Sequence, residues 1–221
     1  METTRGIAFA ALGVLMVSGA LLLQNSLAEP ANISYGVLQQ FADGSIVEGS
    51  RAMLVRTDKG LTITIHTSGL PPGAAHTVWW AIYNHPEHCA AYPGPCTIND
   101  LFIEAVQGTS FNATGHVIGH NGVGHFAAYL AVGDKEDDAE ADTPGNSFPL
   151  DLPGDAVGFL DARTAQIQLV VRSHGQPIPG QVKEQTSTYN GGGCDDLEGD
   201  PPVFDDTDPC NDEQFTTVFV P

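Results

Sequence analysis

Gly60-Leu61-Thr62-Ile63-Thr64-Ile65-His66 decides the fold class. Leu61, Ile63 and Ile65 fall on one face of an extended chain, and Thr62, Thr64 and His66 on the other. An apolar period of two is the signature of a half-buried strand. The preceding run, Arg51 to Thr57, reads as a second strand, and Asp58-Lys59-Gly60 joins the two as a hairpin. Further out, Ile33 to Gln40 reads as the first strand. Leu70-Pro71-Pro72-Gly73 is a turn, and Ala75 to Tyr83 carries Val78, Trp79, Trp80, Ile82 and Tyr83, the residue types strands prefer. Thr114 to Ile118 and His125 to Val132 read as a strand pair around Gly119-His120-Asn121-Gly122, because Asn-Gly signals a hairpin turn. Gln166 to Arg172 turns Ile167, Leu169 and Val171 inward, and Phe215 to Val220 reads as the last strand. Leu101 to Val106 is left open, since Asn99-Asp100 suits a helix cap. Asp134 to Pro153 and most of 173–213 read as surface loop. With 25 glycines and 15 prolines and no amphipathic helix, the pattern predicts an all-β fold. It is an antiparallel β-sandwich of about eight strands with long acidic loops.

Gly6 to Leu23 is a nearly unbroken apolar run after Arg5, ending in Gln24-Asn25-Ser26-Leu27-Ala28. A basic start, an apolar middle and a small-residue end describe a secretory signal peptide over residues 1–28, a retained anchor being the alternative. Residues 29–221 are then one domain with no membrane span, placed in the periplasm, at the cell surface or outside the cell. The chain has four cysteines, Cys89, Cys96, Cys194 and Cys210. In an exported protein an even count reads as disulfides. Of the three pairings, the nearest-neighbour one is favoured, Cys89–Cys96 and Cys194–Cys210. No CxxC spacing supports a four-Cys zinc site.

The net charge of −19 argues against nucleic-acid partners, which need a Lys/Arg surface. Six acidic residues lie in 134–142 and nine in 195–213. Asp195, Asp196, Glu198, Asp200, Asp205, Asp206 and Asp208 sit between two cysteines, where their mutual repulsion calls for a cation or for solvent screening. Ca²⁺ takes six to eight oxygen ligands, so this loop is the candidate Ca²⁺ site, although it lacks the EF-hand spacing. A solvated acidic surface is the competing account. Of eight histidines, His85 and His88 flank Glu87 in a turn. With His76 as a third ligand they form the alternative site, for Cu or Zn. His116 and His120, if extended, stand about 13 Å apart, too far for one ion. One of Trp79 and Trp80 should be core. The other lies under a loop or forms a stacking platform for a ligand. No GxSxG, HExxH or P-loop is present, and Ser173-His174-Gly175 lacks the architecture of a triad, so a non-enzymatic role is expected.

Three segments carry a resemblance: Ser68-Gly69-Leu70-Pro71-Pro72-Gly73-Ala74-Ala75-His76-Thr77-Val78-Trp79-Trp80, Asn112-Ala113-Thr114-Gly115-His116-Val117 and Leu169-Val170-Val171-Arg172-Ser173-His174-Gly175. With them the chain resembles a group of uncharacterised exported bacterial proteins over most of residues 29–221. That resemblance implies export and a β-rich fold, and no activity. More distantly, the strand, Gly-Leu-Pro-Pro-Gly turn and His-bearing strand are similar to the order in chordin-like domains and copper/zinc superoxide dismutases. The dismutases carry His-x-His in that strand where this chain has His76-Thr77-Val78, so their activity is not carried over.

Overall fold

A computed structural model describes residues 31–135, 151–191, 194 and 210–221. Nine strands form among them: β1 (Asn32–Gly36), β2 (Leu38–Gln40), β3 (Arg51–Thr57), β4 (Gly60–Thr67), β5 (Ala75–Tyr83), β6 (Gly108–Val117), β7 (Gly124–Ala131), β8 (Gln166–His174) and β9 (Cys210–Thr216). They build two antiparallel sheets, one in the order β1-β3-β4-β7 and one in the order β2-β9-β8-β5-β6. The expected all-β sandwich is therefore the fold. Short 3-10 turns at Ile98–Phe102 and Glu104–Val106 occupy the segment left open. The first of them is capped by Thr97, reciprocated by Asp100 three residues on. One four-residue helix, α1 (Val182–Gln185), lies in the stretch read as loop. Among the described residues no helix is long and apolar enough to cross a membrane.

The expected β3–β4 hairpin forms, with Leu54 opposite Ile63. Three other expectations are corrected. The first strand is two strands. At Val37 the chain leaves the four-stranded sheet as β1 and enters the five-stranded sheet as β2. A Cβ on Gly36 would stand 2.6 Å from the Thr217 hydroxyl, so only glycine fits this crossing. The Asn121-Gly122 turn does not close a hairpin either. β6 pairs with β5 and β7 with β4, so the turn carries the chain from one sheet to the other. Gly122, at φ +66°, packs against the Leu70 carbonyl there. Finally, the last strand begins at Cys210 rather than Phe215, and so includes Asp212 and Glu213. Cross-strand partners and a register shift between Val171 and Arg172, which skips Glu213, let charged residues sit in the ladder.

The main core lies between the sheets. Leu54, Leu61, Ile63 and Ile65 face Val78, Trp80, Ile82, Ile167, Leu169 and Val171. A second cluster, Ala81, Tyr83, Leu101, Val106 and Leu152 with Cys89 and Cys96, covers part of the outer face of the five-stranded sheet. This explains why every residue of β5 is buried. Its run of apolar and aromatic side chains serves both faces at once.

Arg56 is fully buried on the core side of β3. Its guanidinium donates to the carbonyls of Ala162 (2.8 Å), Ala165 (2.9 Å) and Phe219 (2.9 Å). Burial lowers its pKa to about 10, partly countered by the Asp161 charge, so it stays protonated at neutral pH. The Arg56→Met substitution should leave three buried carbonyls short of a donor. Arg56→Lys should restore only part of the network, because an ammonium lacks the planar fork. Urea unfolding should show losses of about 3–5 kcal/mol for Met and about 2–3 kcal/mol for Lys. Wild-type stability in both variants would refute the clamp.

Candidate functional site

The outer face of the five-stranded sheet gathers the chemistry. Both disulfides form as expected: Cys89–Cys96 and Cys194–Cys210, with Cα atoms 5.4 and 5.5 Å apart. Cys210 pairs with His174 across β8 and β9, and Arg172 pairs with Asp212 two residues along. The Arg172 guanidinium, almost fully buried, contacts the Asp212 carboxylate at 3.2 Å, donates to the Tyr189 carbonyl and lies 4.0 Å above the Tyr189 ring. The edge of that ring meets Trp79, with centroids 5.2 Å apart. Ion pair, cation–π contact and aromatic edge together fasten the segment after β8 onto the sheet.

A second chain of contacts fixes the state of His174. The Trp79 indole N–H donates to the Thr77 hydroxyl at 2.8 Å. That hydroxyl's own hydrogen then points to His174 Nε2, also at 2.8 Å. His174 Nδ1–H donates to the Gly191 carbonyl at 3.1 Å, with Cys194 Sγ 3.3 Å from the same nitrogen. Gly191 offers only an acceptor, so this tautomer satisfies every atom. Burial lowers the His174 pKa to about 3, helped by the nearby Arg172 charge and opposed by the Gly191 hydrogen bond. The imidazole is neutral at every physiological pH.

Among the described residues a narrow cleft of about 170 Å³ lies between the segment around Ile98–Phe102 and Tyr189, over side chains that are themselves largely buried. Trp79, Ala81 and Val170 floor it; Ile98, Leu101 and Phe102 form one wall and Tyr189 the other. Asp212 sits at its rim and Phe41 closes one end. A neighbouring depression of about 310 Å³ shares Phe41, Ile98 and Val170 and runs on to Gln168 and Phe215. An apolar, aromatic concavity with few polar groups is the ordinary form of a small-molecule site. Asp100 organises the wall. Burial pushes its carboxyl up, but hydrogen bonds from the Ala90 and Thr97 amides and the Thr97 hydroxyl outweigh this and hold it below the usual range.

The sequence-predicted ligands fare differently. Asp195, Asp196, Glu198, Asp200, Asp205, Asp206 and Asp208 lie outside the described residues. Asp212 and Glu213, at the end of the same acidic run, are already engaged, by Arg172 and by His76 at 3.3 Å. His85 and His88 are exposed around Glu87, their ring centroids 6.3 Å apart. His76 is buried near the start of β5, whereas His85 follows its end, more than about 20 Å away at 3.3 Å per residue. The structure does not bring His76, His85 and His88 together, because an extended strand separates its ends. Of the tryptophans, Trp80 is core and Trp79 lies beneath the cleft. Sequence reasoning missed His174. Among the described residues, His174, Cys194 and Cys210 are the one group of three metal-capable side chains with ligand atoms within 4.8 Å of one another. The trio is a candidate metal-binding group, but its sulfurs are joined to each other, so it offers thiolates only after reduction. Its signal in sequence was a histidine two residues past an inward-facing alternation, which looks like any strand end.

No family model, curated protein or solved structure matches the chain. The fold and site define it as a disulfide-stabilised all-β sandwich with an apolar cleft on one outer face.

The His174 environment has a pH consequence. Its folded pKa of about 3 lies below the ordinary 6.5. The unfolded chain therefore binds a proton that the folded one refuses. The stabilisation is complete above pH 6.5 and is lost as pH falls towards 3. Between pH 6 and 5, where carboxylates are still ionised, unfolding free energy should fall by about 1 kcal/mol. Urea titrations at both pH values should show this slope in the wild type and a flatter one in His174→Gln. Equal slopes would reject the assignment.

Proposed function

We propose that this chain is an exported, non-enzymatic binding protein that holds a small apolar, partly aromatic molecule in the Trp79 cleft. The observation that carries the reading is the cleft itself. An apolar cleft over Trp79 lies between two segments, one following the loop that Cys89–Cys96 cross-links and the other leading to Cys194, which a disulfide ties to β9. Two disulfides and the signal-like residues 1–28 support export. Of the polar groups at the cleft, the Trp79 N–H and the Asp212 carboxylate are engaged in structural contacts, and Asn99 and Ser110 complete the lining. A second reading is Ca²⁺ binding by the carboxylates between Cys194 and Cys210. It is supported by seven acidic residues in sequence between two cysteines whose Cα atoms are 5.5 Å apart.

An environment-sensitive naphthalene dye should bind the protein and quench Trp79. Phe102 is 43 % exposed, so Phe102→Asp should leave the melting curve unchanged. Removing its apolar contact should weaken dye binding roughly 10-fold or more. Binding that is unaltered in both Phe102→Asp and Ile98→Asp would refute the cleft reading. Melting curves in excess Ca²⁺ and in chelator test the second reading. Identical midpoints would exclude it.

A further inference from the structure

The opposite face of the molecule carries two histidines that the cleft does not use. His66 on β4 and His125 on β7 are directly opposed in the ladder of the four-stranded sheet, on its outer side. Their Nδ1 atoms are 3.3 Å apart and their rings, with centroids at 4.6 Å, are inclined by 42°. Two nitrogens bound at about 2.0–2.1 Å to one tetrahedral ion stand about 3.3–3.4 Å apart. The pair therefore already has the separation that a shared metal imposes, with two strands of a rigid hydrogen-bonded sheet setting it. The rings border a concavity of about 330 Å³ that is also lined by Tyr35, Arg51, Met53 and Thr64. Met53 on β3 lies opposite Thr64, and Arg51 lies opposite His66, so Met53 is a diagonal cross-strand neighbour of His66 on the same outer face.

We propose that His66, His125 and Met53 form a surface site for a single copper(I) ion. The choice of ion rests on two features. A thioether with two imidazoles is a soft donor set, which favours copper(I) over zinc. Arg51 lines the same concavity, and its repulsion of a monovalent ion is half that of a divalent one. An anion is the competing occupant for a concavity with one arginine and two histidines. The two rings are joined by one hydrogen bond between their Nδ1 atoms, and a metal ion would take the place of that hydrogen. The site lies on the other sheet from His76, and away from His85 and His88 in the turn after β5, the histidines singled out in the sequence.

Untagged full-length protein should be titrated with copper(I) against a chromogenic copper(I) chelator, and separately with zinc. The wild type should take up one equivalent of copper(I). His125→Ala and His66→Ala should each weaken it at least about 100-fold, more than loss of an outer-shell partner does. Met53→Leu keeps the volume and should weaken copper(I) about 10-fold while leaving zinc affinity unchanged. The double variant His85→Ala/His88→Ala should bind as the wild type does. His125 is exposed, so His125→Gln provides a folded check should either alanine variant melt early. The proposal is overturned by no copper uptake, by binding that survives His125→Gln, or by equal loss in the His85/His88 double variant. It is also overturned if inorganic phosphate shifts the His66 and His125 ring resonances and blocks metal uptake. An unchanged copper(I) affinity in Met53→Leu would overturn the assignment of Met53 and of copper(I).

Discussion

A single buried guanidinium joins the two sheets. Arg56 belongs to β3 of one sheet, yet its three hydrogen bonds go to the turn before β8 and to the last residues of the chain. Carbonyls are the right partners for a cation in this place. They accept from both terminal nitrogens without a second buried charge, whose desolvation would cost as much as the pairing returns. The contact also sets the start of β8, since Phe219 both accepts from Arg56 and exchanges backbone hydrogen bonds with Ile167. The alignment of β8, and through it of β5 and β9, depends on this point.

From that alignment the outer face follows. β8 presents Arg172 and His174 to β9, and β5 presents Thr77 and Trp79 beside them. Each group is satisfied by the segment that folds over it: Tyr189 over Arg172, Gly191 at His174. Among the described residues the two covering segments come from different parts of the chain and do not meet above Val170 and Ala81. A sheet face that is closed at two places and open between them is how this fold makes a cleft without a barrel. On the outer side of the four-stranded sheet, among the described residues, His66 is half-buried and its partner His125 is exposed.

Much of the fold was legible along the chain. The alternation in β4, the doubly apolar β5 and the inward Ile167, Leu169 and Val171 are local patterns that burial alone explains. The disulfide pairing followed from proximity in sequence, because short loops close at least entropic cost. The Asn121-Gly122 turn was misleading. A turn residue specifies a reversal but not whether the reversed chain stays in its own sheet. β9 was misplaced because Asp212 and Glu213 read as loop. Only Arg172 and His76, brought up by other strands, make carboxylates tolerable there.

The amino-acid sequence by itself determined the all-β class, the strand faces and the covalent cross-links, since each depends on neighbours within a few residues. Which histidines meet was decided by the tertiary structure alone. His85 and His88 are close in sequence, yet they sit apart around an exposed glutamate. His66 and His125 are 59 residues apart, yet they touch. Spacing along a chain measures contour length, whereas a ligand or an ion responds to distance through space. Only the pairing of β4 with β7 converts one into the other.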